Sequence, residues 1–234
     1  MSWMDDTRMN DIWVDNIRMD DDGEYGGEYL WGVRRTAEIS VLTEGYVIDL
    51  AGGGYRASPS MVLIEGGGKR VLVDPGADRG GLLSGLSGRG FRPDEIDLIF
   101  VTHPHLDHIL NIGLFSEAEV CDLNFVYRGD EEIPYGNFLP GTGVEVFSTP
   151  GHSLDHASLL VPSGGETWLV AGDLFWWKDG AIQRTDRKSL LALEDEMAYD
   201  LAALRASRAK ALERADVIVP GHGKAFRPDH PQLR

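Results

Sequence analysis

The chain has 234 residues, of which 42% are hydrophobic and 26% charged, and its formal net charge is -16. These proportions exclude a disordered or collagen-like chain and suit one domain with a proper core. The acidic balance disfavours nucleic acid and anionic membranes as partners; with no apolar run of membrane-spanning length and no signal-peptide pattern, a cytoplasmic protein is expected.

Residues 1–27 are acidic and carry Trp3 and Trp13 without a sustained period of two or 3.6. They are expected to form an arm ahead of a domain at residues 28–234, either mobile or docked through the two indoles on the body or on a second copy, as in a homodimer. From Thr36 to Leu50 the chain is β-rich and is ended by Gly52-Gly53-Gly54. Two apolar strands, Met61–Glu65 and Arg70–Asp74, flank Gly66-Gly67-Gly68, a hairpin signal. The run Ile96–Val101 is almost continuously hydrophobic and predicts a strand buried on both faces. Further strands are expected at Val144–Ser148, Ser158–Val161, Thr167–Ala171 and Asp216–Val219. Between the last two, Leu190, Leu193, Met197, Leu201, Leu204 and Leu212 recur mostly at three- and four-residue steps, predicting one long helix over about 189–214. Two β-rich halves, each followed by helix, suggest a sheet sandwich with helices outside. Cys121 is the single cysteine, so no intrachain disulfide forms, and it reads as a small buried apolar residue.

Directly after the predicted buried strand stands Thr102-His103-Pro104-His105-Leu106-Asp107-His108. Pro104 biases His103 toward extended backbone, where positions i and i+2 point the same way, so His103 and His105 can share one ion. Asp107 and His108 fall where a helix begins and can turn toward a second. Three further candidates, His152, Asp173 and His222, sit at or soon after the ends of later strands. Each has glycine beside it, which lets the backbone turn sharply into a crowded site. Any one of these pairs alone would read as a turn.

The dense motif followed by Gly-His, Gly-Asp and Gly-His-Gly, in that order, resembles the metallo-beta-lactamase superfamily over about Thr36 to Arg227. The resemblance implies an α/β fold, the αββα sandwich. It gives His103, His105 and His152 to one metal and Asp107, His108 and His222 to the other, with Asp173 bridging. Asp74 in Val73-Asp74-Pro75-Gly76 takes the place of a partner that orients a ligand. Two divalent ions about 3.5–4 Å apart can share and activate a water, so a metal-dependent hydrolase of an ester, thioester, lactone or phosphodiester is expected, with a small-molecule substrate. The donors suit zinc and tolerate manganese or iron, and Asp107 also takes the catalytic role of proton acceptor.

A bridging aspartate makes beta-lactam hydrolysis a side activity at best. The short span from Asp173 to His222 leaves no room for an inserted domain, so the resemblance is to a compact branch, carried by His108–Phe115, Ala171–Phe175 and Ser207–Phe226. That branch also implies single-stranded RNA cleavage as an alternative, which the acidity opposes. A noncatalytic metal-binding protein is the other alternative, opposed by the complete donor set. Trp176, Trp177, Tyr135 and Phe138 are candidate pocket residues as well as candidate core. His156 is an orienting partner or a structural histidine, and Lys178, Arg184 and Lys188 are candidates for an anionic substrate group, with solvated surface charge as the default.

Overall fold

A computed structural model describes residues 37–229. The arm expected at residues 1–27, with Trp3 and Trp13, lies outside the described residues. In chain order come β1 (Glu38–Thr43), β2 (Tyr46–Asp49), β3 (Tyr55–Ser58), β4 (Met61–Gly66), β5 (Lys69–Val73), α1 (Arg79–Gly88), β6 (Leu98–Phe100) and the short α2 (Leu106–Ile109). There follow β7 (Glu119–Cys121), β8 (Phe125–Arg128), β9 (Glu131–Pro134), β10 (Glu145–Ser148), β11 (Ala157–Ser163), β12 (Glu166–Val170), α3 (Arg187–Leu191), α4 (Leu201–Arg214) and β13 (Val217–Val219).

One sheet has seven strands in the order β1-β4-β5-β6-β7-β8-β9, a second has four in the order β10-β11-β12-β13, and β2 and β3 form a separate hairpin. The strands β5, β6 and β7 run parallel, as do β12 and β13, and the other pairs are antiparallel. Period-two alternation then assigns the faces. Val62, Ile64, Val71, Val73, Leu98 and Phe100 point inward against Val146, Leu159, Val161 and Val170 of the second sheet, giving one dry inter-sheet core that also holds Cys121. Their neighbours Leu63, Leu72 and Ile99 face outward and are covered by Leu82 and Leu86 of α1. On the far side Leu160, Leu169 and Ile218 are covered by Leu204, Ala211 and Leu212 of α4. This is the αββα sandwich.

The long helix expected over 189–214 is two helices. The stretch 192–200 between α3 and α4 is non-helical, and Asp200 caps α4 by accepting hydrogen bonds from the Ala202 and Ala203 amides at 2.8 and 3.0 Å. Met197 and Leu201, expected on a packed face, are 59% and 63% exposed. The cap and the side-chain contacts of Asp195 described below hold this stretch open against its hydrophobic period.

Candidate metal centre

Every candidate donor lies beyond a strand end. Asp74 follows β5, the His103–His108 motif follows β6, His152 lies between β10 and β11, Asp173 follows β12 and His222 follows β13. Such crevices beyond the carboxyl ends of strands are where layered sheets bind ligands. Crowding explains the glycines. A Cβ on Gly221 would sit 1.9 Å from Asp173 Oδ1, and one on Gly151, whose φ is +139°, would sit 2.2 Å from the Leu204 backbone. Only glycine lets those chains pass so closely.

The donors converge as two groups. His103 Nε2 and His152 Nε2 each lie 3.0 Å from His105 Nδ1. Asp173 Oδ2 faces this group, 3.8 Å from His103 Nε2 and 3.4 Å from His152 Nε2. Its other oxygen, Oδ1, faces the second group, 3.4 Å from His108 Nε2 and 3.5 Å from His222 Nε2. Asp107 Oδ2 completes that group, 3.4 Å from His222 Nε2 and 3.8 Å from His108 Nε2. These separations are mostly too long for good hydrogen bonds. They are close to the roughly 3.3 Å expected between two ligands of one tetrahedral ion with bonds of about 2.0–2.1 Å. His108 Nε2 and Asp173 Oδ1 are buried with no hydrogen-bond partner, which is costly unless a cation meets them. The residues therefore fit two cations of the nitrogen- and oxygen-binding kind.

Each buried imidazole is held through its other nitrogen. His108 Nδ1 donates to Asp74 Oδ2 at 2.8 Å, and His152 Nδ1 donates to Asp195 Oδ2 at 2.8 Å. His103 Nδ1 donates to Thr102 Oγ1 at 3.0 Å, and that hydroxyl donates in turn to Asp74 Oδ2 at 2.7 Å. His222 Nδ1 donates to the Tyr46 and Ser58 carbonyls, both at 3.1 Å, which is what the β2–β3 hairpin contributes. These acceptors fix the tautomer that leaves Nε2 as the free lone pair. Asp74 itself has φ +48°, the one positive value for a described non-glycine residue. That strain is offset by the three hydrogen bonds its carboxylate accepts, including a 2.9 Å bond from the Thr102 amide.

The electrostatics divide the same way. Burial, reinforced by His108, holds His103 well below the usual histidine range, so it stays a neutral acceptor. His105 is lowered by burial and by His152. Burial also pushes His108 and His222 down, but Asp173 outweighs it for both, together with Asp74 at His108 and Asp107 at His222. His108 is left well above its ordinary value and His222 at about 9. For Asp173 burial pushes upward, yet His222 and His108 hold it well below the carboxylate range. The side of the pocket that raises His108 and His222 and lowers Asp173 stabilises positive charge, while the side of His103 and His105 keeps neutral imidazoles.

All seven donors expected from the sequence, His103, His105, Asp107, His108, His152, Asp173 and His222, fall in these two groups, and Asp74 is the orienting partner of His108. Two orienting residues were not foreseen. Thr102 is adjacent to His103 in the motif, whereas Asp195 lies 43 positions after His152 in a run of acids that no spacing singles out. His156 is fully buried with Nδ1 bonded to Thr149 Oγ1 at 2.8 Å, and burial takes it to about 3; it belongs to neither donor group. Of the four aromatic pocket candidates only Trp176 lines the cleft over the site. Trp177 is buried in the outer core beside Phe226, Tyr135 packs against the inter-sheet core and Phe138 is exposed. Lys178 lines the cleft; Arg184 and Lys188 do not.

Comparison with known proteins agrees with this geometry. The profile of the Metallo-beta-lactamase superfamily matches residues 54–123. Metallo-beta-lactamase domain-containing protein 1 of Xenopus laevis is 39% identical over 202 residues, 81% of this chain and 81% of that one. Its Homo sapiens namesake is 39% identical over 167 residues, 67% of this chain and 59% of that one. Among solved structures, a candidate metallo-beta-lactamase of Thermotoga maritima superposes with a TM-score of 0.60 at 22% identity, covering 82% of this chain and 100% of that one. A dizinc quorum-quenching lactonase in complex with its product gives 0.54 at 18% identity, over 76% and 78%. At such identities these two structures speak for the fold alone. With the long matches to the vertebrate relatives, the sandwich and the paired His/Asp groups, the chain belongs to the metallo-beta-lactamase superfamily and is a metal-dependent hydrolase of it.

Proposed function

We propose that the chain is a dinuclear hydrolase of small molecules, in which His103, His105 and His152 hold one divalent ion, Asp107, His108 and His222 hold a second, and Asp173 gives one oxygen to each. The observation that carries this reading is the division of the Asp173 carboxylate, with Oδ2 toward the first group and Oδ1 toward the second. Imidazole nitrogens with carboxylate oxygens favour zinc, and manganese or iron also suit them. Such ions, when bound, supply a nucleophile from water at neutral pH and polarise the bond to be cleaved.

The protein's own share is orientation and proton handling. Asp74, Thr102 and Asp195 fix the rings of His108, His103 and His152, so that little reorganisation accompanies turnover. Asp107 turns Oδ2 toward His222 and His108 and is the most exposed carboxylate among the donors. We assign it the role of proton acceptor. The substrates that fit this chemistry are carboxylic esters, thioesters, lactones and phosphodiesters.

The test is a panel of these substrates, with single-stranded RNA and a cephalosporin, run on protein of measured metal content. Asp173→Asn removes one charge shared by both groups. It is expected to lower the metal content of both sites and to cut kcat/KM by about 100-fold or more. Full activity of this variant with two ions still bound would overturn the dinuclear reading.

A further inference from the structure

The wall of the cleft over the donors is apolar. It has a volume of about 490 Å³ and includes Val47, Tyr55, Leu106, Leu110, Trp176 and Met197. That size suits a small to medium molecule. Three of these side chains, Leu106, Leu110 and Met197, are 68%, 63% and 59% exposed while lining the cleft, large apolar groups left in water beside the donors. Their position follows from the site. Leu106 and Leu110 are four residues apart across α2 and share a face, because Asp107 and His108 of the same helix are turned to the donors. Met197 is placed by its own amide, which donates to Asp195 Oδ1 at 2.9 Å while Oδ2 of that carboxylate holds His152. The apolar wall is thus attached to the donor groups twice, through α2 and through Asp195.

The charges near the rim cancel. Apart from the donors, the wall holds Lys178 and Glu196, which pair with each other at 3.5 Å, and Lys178 also lies 3.8 Å from Asp49. Among the described residues the one lysine or arginine of the wall is therefore matched by carboxylates already, and the whole chain carries -16. A polyanion would find no free cationic side chain among the described residues of the wall, whereas an uncharged chain of methylenes would cover its apolar side chains.

Resting on the hydrolase reading above, we propose that the substrate is an uncharged carboxylic ester, thioester or lactone bearing an apolar chain that lies along Leu106, Leu110 and Met197, and not a phosphodiester or RNA. Hydrolysis adds the elements of water across the acyl bond: the acyl carbon gains a C–O bond, the C–O or C–S bond to the leaving group breaks, and the leaving oxygen or sulfur takes the proton.

The experiment measures kcat/KM on metal-loaded, full-length protein for p-nitrophenyl esters and matched acyl thioesters from acetyl to decanoyl, with bis(p-nitrophenyl) phosphate and a single-stranded RNA oligomer alongside. The expected result is a rise of about fourfold per added methylene until the cleft is filled. The exposed substitutions Leu110→Ser and Met197→Ser are expected to flatten that rise. A rate independent of chain length, an unchanged slope in both variants, or faster turnover of the phosphate or RNA than of the best ester would overturn the substrate assignment and leave the hydrolase reading standing. Absence of all turnover by protein with both ions bound would overturn the hydrolase reading beneath it.

Discussion

At the scale of single residues, the most informative side chain is Asp195, which touches no donor group except through His152 Nδ1. Asp195→Asn keeps the shape and removes the charge that holds that ring. It is expected to weaken the ion at His103, His105 and His152 by about 10- to 100-fold while affecting the other ion less, as chelator competition would measure. Equal weakening of both would count against a local orienting role. Asp74→Asn should differ, because Asp74 holds His108 directly and His103 through Thr102. Cys121 offers a pH test. Burial pushes its thiol from an ordinary 9.0 up to about 12. The folded state thus keeps its proton where the unfolded state loses it, so its contribution to stability is intact below pH 9 and falls as pH rises from 9 to 12. Native protein at pH 8 is expected to resist iodoacetamide, and guanidinium-unfolded protein to react fully. Rapid labelling of the native state would show the thiol to be accessible.

At the scale of elements, the strand ends decide where chemistry occurs. Gly221 joins β13 to His222 and passes against Asp173, so Gly221→Ala forces a methyl to within 1.9 Å of Oδ1. The expected outcome is a folded protein with displaced Asp173 and about 100-fold less activity, checked by kinetics together with far-UV dichroism. Wild-type kinetics would mean the loop can yield. Elements were legible where their period was strong. The hairpin of β4 and β5 and the buried β6 were read within a residue or two. Helix α1 was not read, because four of its ten residues are glycine and local propensity opposes it. It forms since Leu82 and Leu86, one turn apart, cover the outer face of β4 and β5. The helix expected over 189–214 failed for the opposite reason, its period being interrupted by the Asp195 contacts and the Asp200 cap.

At the scale of the molecule, three cores stack as layers: one between the sheets and one beneath each outer helix. The donor groups sit across one end of that stack, with ligands from both sheets, so ions bound there tie the layers together. Chelation is expected to abolish activity and lower Tm by about 5–10 °C, the equivalent of about 2.7 kcal/mol for an ion at 100 times its Kd. Far-UV dichroism is expected to persist, since the cores are independent of the ions. Calorimetry before and after adding the metal back measures this, and a Tm indifferent to metal would argue against ligands shared between the sheets. Among the described residues no helix is long and apolar enough to cross a membrane.

The sequence by itself picked out the seven side chains that the fold brings together. Histidine and aspartate at His-x-His-x-Asp-His spacing are a local pattern, and the glycines beside His152, Asp173 and His222 marked the turns that crowding would require. Alternating and continuous hydrophobic runs likewise specified β1, β2, β4, β5, β6 and β10 to β13, whereas the short strands β3, β7, β8 and β9 carry too brief a period to be read. Only the tertiary structure decided how the Asp173 carboxylate is divided between the two groups, that Asp195 and Thr102 hold the imidazoles, and that Trp176 rather than Trp177 faces the cleft. Those facts depend on contacts between side chains tens of residues apart, made after two sheets have packed, and such contacts leave no period in the chain.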